Sequence, residues 1–167
     1  MMQSANRRLR KLAFARRRSV EEIEEGEVLA LRFDGRGLNL VVATDADSGE
    51  VLMMGVINAE ALVRTIATGE AHYWSRSCKE LWRKGATSGL VQRVVEVRID
   101  DDQDAIWLRV EVTGLGGSCH VGYHSCFYRA VPIGALGDGP APLRFVETQK
   151  LFDSRDIYAD APEHPSV

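Results

Sequence analysis

Four carboxylates occupy five consecutive positions in Asp100-Asp101-Asp102-Gln103-Asp104, and downstream the chain reads Cys119-His120-Val121-Gly122-Tyr123-His124-Ser125-Cys126. Carboxylates this close repel one another unless solvated or neutralised, and hard divalent cations take oxygen donors of this kind. Two thiols flanking a His and a Gly suit a softer ion such as zinc. Cys119 and Cys126 lie seven positions apart, and Gly122 between them lets the chain turn back so that both sulfurs face one ion. Three protein ligands with an open fourth position lower the pKa of a bound water to about 7. His120 is then a candidate general base or fourth ligand. Both kinds of ligand in one small chain point to metal-dependent chemistry.

These residues need elements to hold them. Period-two alternation over 91–99 and 105–112 predicts two β-strands joined at the acidic cluster, with Ile106, Leu108 and Val110 on one face of the second. If the backbone between them is extended, the pleat puts Asp100, Asp102 and Asp104 on one face and Asp101 and Gln103 on the other. The trio then suits a magnesium ion, while Asp101 points toward the two cysteines. The spacing also fits a calcium-binding helix-loop-helix, with Glu111 at its twelfth position. That reading fails because Ala105 stands where the loop needs Gly and the flanks alternate like strands.

Upstream, apolar runs predict strands over 27–33, 38–44 and 51–57. Asn58 and Gly69 then bracket a helix whose apolar face carries Ala61, Leu62 and Ile66. Ala71 to Trp74 reads as a short strand, and Ser77 as the cap of a helical turn through Lys79-Glu80-Leu81-Trp82. Residues 132–167, rich in Pro and Gly at their start, read as a loop-rich extension. The expected fold is α+β, mainly antiparallel, with one or two helices. Its segments are a partly helical extension over 1–25, a domain over 26–131 and the extension over 132–167.

Formal charge is −3, yet residues 1–20 carry +7 and the remainder −10. An acidic body argues against nucleic-acid binding and fits cation binding. The basic arm reads as an Arg-rich transit segment, a basic amphipathic helix or a solvated terminus. It has no secretory h-region, and the chain has no apolar stretch of membrane-spanning length. Three cysteines argue against a disulfide framework and for a reducing, cytoplasmic setting in which thiols remain available as ligands. Cys78 has no ligand-type neighbours in the sequence and is read as a bystander.

His72-Tyr73-Trp74-Ser75-Arg76-Ser77, Leu81-Trp82, Lys84-Gly85-Ala86-Thr87-Ser88-Gly89, the acidic cluster, Cys119-His120-Val121-Gly122 and Ser125-Cys126-Phe127-Tyr128-Arg129 together resemble the phosphoribosyl-AMP cyclohydrolases of histidine biosynthesis. The match runs in order from about residue 27 to 131. It implies hydrolytic opening of the adenine ring of phosphoribosyl-AMP between N1 and C6 by a zinc-activated water. It also implies Zn2+ and Mg2+ as cofactors and an intertwined homodimer with sites at the subunit interface. Carried over by position, Asp100, Asp102 and Asp104 are the magnesium ligands. Asp101, Cys119 and Cys126 are the zinc ligands, one of them given across the interface. His120 would shuttle protons, and Arg76, Lys84, Thr87 and Ser88 would bind substrate phosphate.

Two positions depart from the family's pattern. Asp101 stands where a Cys is usual, so the expected site is Cys₂Asp, or His120 completes it while Asp101 is only solvated. His124 replaces a frequent Arg, which puts one phosphate contact in doubt. Tyr73, Trp74 and Trp82 are candidates to stack on a base, although aromatics at such spacing usually fill a core. Two other readings compete. A zinc deaminase would need His-x-Glu and Pro-Cys-x-x-Cys, and neither occurs. A non-catalytic zinc-stabilised interaction module, or a degenerate homologue, would have no use for Asp100, Asp102, Asp104 and His120.

Overall fold

Alternating apolar residues build the sheet that carries the acidic cluster. In the computed structural model, which describes residues 13–134 and 137–159, the elements are α1 (Val20–Glu24), β1 (Leu38–Asp45), β2 (Val51–Asn58), α2 (Ala59–Thr68), β3 (His72–Ser75), β4 (Glu80–Arg83), β5 (Gln92–Ile99), β6 (Ala105–Val112), β7 (Arg129–Ala130), β8 (Arg144–Phe145) and α3 (Ser154–Tyr158). The architecture is α+β, as expected, with three helices among the described residues. Two of these are five-residue turns. No helix there is long and apolar enough to cross a membrane.

The main sheet runs β2-β1-β6-β5. Its two antiparallel hairpins, β1–β2 and β5–β6, meet through a parallel pairing of β1 with β6 that sets Val41 beside Ile106. The sheet is therefore mixed. One face carries the fully buried Val41, Ala43, Leu52, Ile57, Leu108 and Val110, and Ala61, Leu62, Ala71 and Tyr73 cover them. A bulge between Val94 and Glu96 shifts the parity of β5. Val94, Val97 and Ile99 therefore pack on the core while Val95 faces outward.

Helix α2 forms where the residues at its ends dictate it. The Asn58 side chain accepts from Ala61 N at 2.8 Å, a cap worth about 1 kcal/mol, and Gly69 closes the end at φ 72°. Ala61 and Leu62 are buried as expected, and truncating Leu62 to Ala would cost about 2–5 kcal/mol. Ile66 is 45% exposed, and Thr65 takes the inner position by bonding His72 N.

Two sequence-based elements are corrected. Residues 27–33 form no strand: Ala30 N and Arg32 N bond to the side chain and backbone of Gln103 instead of to a ladder. The turn expected to be helical through Lys79–Trp82 is a hairpin. There β4 pairs with β3, Tyr73 lies opposite Trp82, and Lys79 sits at φ 52°, outside helical space.

The two ends described here are docked on the body. Phe14 packs edge-on against Phe33, with ring centroids 5.5 Å apart, and the Arg17 guanidinium donates to the carbonyls of Ala30 and Asp102, each at 2.7 Å. The rest of the basic arm, residues 1–12, lies outside the described residues. At the other end, Phe152 is buried against the cysteine segment.

Candidate metal centre

The acidic cluster forms a tight turn between β5 and β6, so the convergence of its carboxylates does not come from a pleat. Asp100 organises it: one carboxylate oxygen accepts from Asp104 N and Ala105 N at 2.8 and 2.9 Å. Gln103 adopts φ 56°, a left-handed conformation that costs a non-glycine residue about 1–2 kcal/mol. Its side chain offsets that cost by accepting from Ala30 N at 2.7 Å and donating to Ile23 O at 2.9 Å. With Gln103 turned inward, ligand oxygens of Asp100, Asp102 and Asp104 lie within 4.8 Å of one another.

Arg32 reaches this trio, donating to Asp102 at 3.1 Å and to Asp104. The guanidinium holds Asp104 below the ordinary carboxylate range. Desolvation, followed by repulsion from Asp104 and Asp100, pushes Asp102 up. A hard cation fits such a cluster because it satisfies all three carboxylates together, whereas Arg32 engages only two.

The cysteine segment is brought round by its own turn and by distant strands. Cys119 is buried and Cys126 reaches the surface. Cys126 N donates to Leu52 O, and the Ser125 hydroxyl to Val51 O, so β2 anchors this end. Gly122 lies at φ 108°, and a Cβ there would come within 2.2 Å of the Phe152 carbonyl oxygen. The two thiols are electrostatically coupled: the Cys126 thiol favours negative charge on Cys119 and lowers its pKa, with the Val121 and Tyr123 amides helping, while Cys119 and then burial push Cys126 up. A buried sulfur stabilised as thiolate beside a second sulfur fits a soft divalent ion. His120 is exposed next to Cys119.

Asp101 does not complete this pair within one chain. Among the described residues, Asp100, Asp102 and Asp104 are the only three or more His, Cys, Asp or Glu groups gathered closely enough to hold an ion. Asp101 is exposed on the hairpin turn. His124, in the place of a frequent Arg, is engaged internally with Gly116 O at 3.0 Å and faces Glu50 at 3.4 Å.

Lys84 differs most from its expected role as a phosphate contact. It is only 6% exposed, and its ammonium donates to Ser118 O at 2.7 Å beneath the cysteine pair. Burial lowers its pKa, and the neighbouring Cys126 and Cys119 oppose that shift. Arg76 and Thr87 are exposed on turns, while the Ser88 hydroxyl accepts from Leu90 N. Tyr73 belongs to the core, where its hydroxyl donates to Gln92 at 2.6 Å and Gln92 donates to the Ser118 hydroxyl. Gln92 and Ser118 had no signal in the sequence, since a buried polar residue in a strand or a loop looks like any outward-facing one.

The sequence matches the model of the family described as phosphoribosyl-AMP cyclohydrolase over residues 53–128. A protein of Rhodopseudomonas palustris named phosphoribosyl-AMP cyclohydrolase is 54% identical over 138 residues, covering 83% of this chain and 89% of its own length. Proteins of the same name from Bradyrhizobium diazoefficiens and Nitrobacter hamburgensis are 56% and 55% identical, over 82% and 81% of this chain and 94% and 90% of theirs.

Proposed function

The chain belongs to the phosphoribosyl-AMP cyclohydrolase family, and from that premise we propose that it hydrolyses the adenine ring of phosphoribosyl-AMP between N1 and C6 to give the formimino-carboxamide ribotide of histidine biosynthesis. As a member of that family it is a hydrolase acting on a cyclic amidine C–N bond. The observation that best supports the reading is the gathering of Asp100, Asp102 and Asp104 oxygens within 4.8 Å of one another, in a chain that also carries the buried Cys119 beside the exposed His120.

In this reading Cys119 and Cys126 would hold zinc together with Asp101 of the partner subunit, since Asp101 is not gathered with the cysteines of its own chain among the described residues. Bound zinc supplies a Lewis acid and an acidified water. His120 accepts a proton as water adds to C6 and delivers one to N1 as the C6–N1 bond breaks. Asp100, Asp102 and Asp104 would hold magnesium, a hard cation suited to their carboxylate oxygens. Arg76, Thr87 and Ser88, on exposed or half-exposed turns, meet the substrate's phosphates. The homodimer has a surface to use, because the sheet face away from the core leaves Leu40 and Met54 46% and 49% exposed. Cysteines kept reduced fit a reducing compartment such as the cytoplasm.

The test is turnover of phosphoribosyl-AMP by the purified chain with zinc and magnesium, followed by absorbance. Ring opening that a chelator abolishes is expected. Activity no higher than background with both metals present would overturn the proposal.

A further inference from the structure

The cysteine segment is covered by a stretch of chain that the sequence presents as a featureless extension. Glu147 accepts from two consecutive backbone amides, His124 N at 2.8 Å and Ser125 N at 3.0 Å, the two residues that precede Cys126. Four residues later Leu151 N donates to Gly122 O at 2.8 Å, and Val146 N donates to Tyr128 O at 2.9 Å. The Phe152 ring is 9% exposed and lies so close to Gly117 that a Cβ there would meet it at 2.7 Å. Tyr123 and Tyr128 stack at 4.0 Å, and Phe145 packs on both.

The ligand segment is thereby held on two sides. Toward the sheet it bonds to Val51, Leu52 and Lys84. On the other side residues 144–152 bond or pack against Gly117, Gly122, Tyr123, His124, Ser125 and Tyr128. They leave the sulfurs of Cys119 and Cys126 untouched by any of these bonds. An irregular segment between two ligands loses its geometry easily, since each residue free to move adds about 1–2 kcal/mol of backbone entropy. A carboxylate bonded to adjacent amides is strong, directional and charge-assisted.

We propose that residues 144–152 form a strap that sets the distance between Cys119 and Cys126, with Glu147 as its positioning residue. This rests on the reading of the pair as a zinc site. The strap acts on the ligands through the amides next to Cys126. Groups that orient metal ligands in this way affect metal affinity directly.

Zinc affinity of the full chain, measured by competition with a chromogenic chelator, tests it, with Cys126→Ala as the control that assigns the ion. In Glu147→Ala, zinc affinity is expected to fall about 10–100-fold. Glu147→Asp, which keeps the charge, should recover part of that loss, and magnesium affinity should stay unchanged. A purely structural contact would lower Tm and leave zinc affinity as in the parent, and that outcome overturns the inference. If the parent and Cys126→Ala bind zinc equally, the zinc reading itself falls and the strap's role with it. Should Glu147→Ala fail to fold, hydrogen exchange in the parent decides. Protected His124 and Ser125 amides support the strap, and free exchange refutes it.

Discussion

The acidic turn and the cysteine segment both gather ligand-type side chains, yet they are braced differently. Asp100 closes the turn by bonding Asp104 and Ala105, and one upstream stretch, residues 17–32, braces it through Gln103 and Asp102. Residues 117–126 are assembled by β2, Lys84 and the segment 144–152, all remote in sequence. A turn braced by one stretch of chain is sensitive mainly to that stretch, whereas a segment held by several separate partners can be mispositioned by the loss of any one.

The largest effect is expected at the cysteines. Cys126→Ala should lower turnover by more than the roughly 100-fold typical of a supporting residue and remove zinc from the protein, as read by elemental analysis. An active, zinc-containing variant would show that the pair has no such role. Asp101 comes next, because it is the point at which the two regions are proposed to meet across subunits. Asp101→Ala should lower zinc content and turnover, and Asp101→Cys should keep both. Unchanged zinc in the alanine variant would separate the two regions entirely.

Within the acidic turn, Gln103→Ala leaves Ala30 N without its buried acceptor and should cost about 1–3 kcal/mol in chemical denaturation. Gln103→Gly should be less damaging than the alanine variant, since glycine accepts the positive φ. Equal losses in the two would mean that backbone strain contributes nothing there.

The smallest effect belongs to Arg32. It holds the Asp104 pKa below its ordinary value of 3.8, so the ionised carboxylate favours the folded state above that pH, and the benefit is lost as pH falls through the lowered value. Arg32→Met should therefore reduce Tm slightly at pH 7 and not at all once Asp104 is protonated in both proteins. Protonation of Asp102, whose pKa is raised, works in the opposite direction. A deficit that persists in strong acid would place the role of Arg32 in packing.

Much of this was readable along the chain where the forces are local. Asn58 and Gly69 end α2 because capping needs only a neighbouring side chain and a glycine. β5 and β6 follow from alternation, and β1 and β2 from apolar runs bounded by turns. Residues 27–33 misled because an apolar run looks like a strand whether its amides meet a ladder or a single Gln103 side chain. Lys79 to Trp82 misled because β3 supplies a strand partner that the short stretch does not announce. Lys84 was legible as a cation beside a glycine loop, but its inward direction depends on the Ser118 carbonyl, 34 positions away.

By itself the sequence determined the donor types available: carboxylates at Asp100, Asp101, Asp102 and Asp104, and thiols at Cys119 and Cys126. Residue type sets ligand softness, and short spacing sets what one turn can gather. Tertiary structure alone decided the parallel pairing of β1 with β6, the burial of Lys84 beneath the sulfurs, and the docking of Glu147 on the cysteine segment. Each joins parts of the chain that no local pattern links, and the entropy of bringing them together is offset only once the core between them has packed.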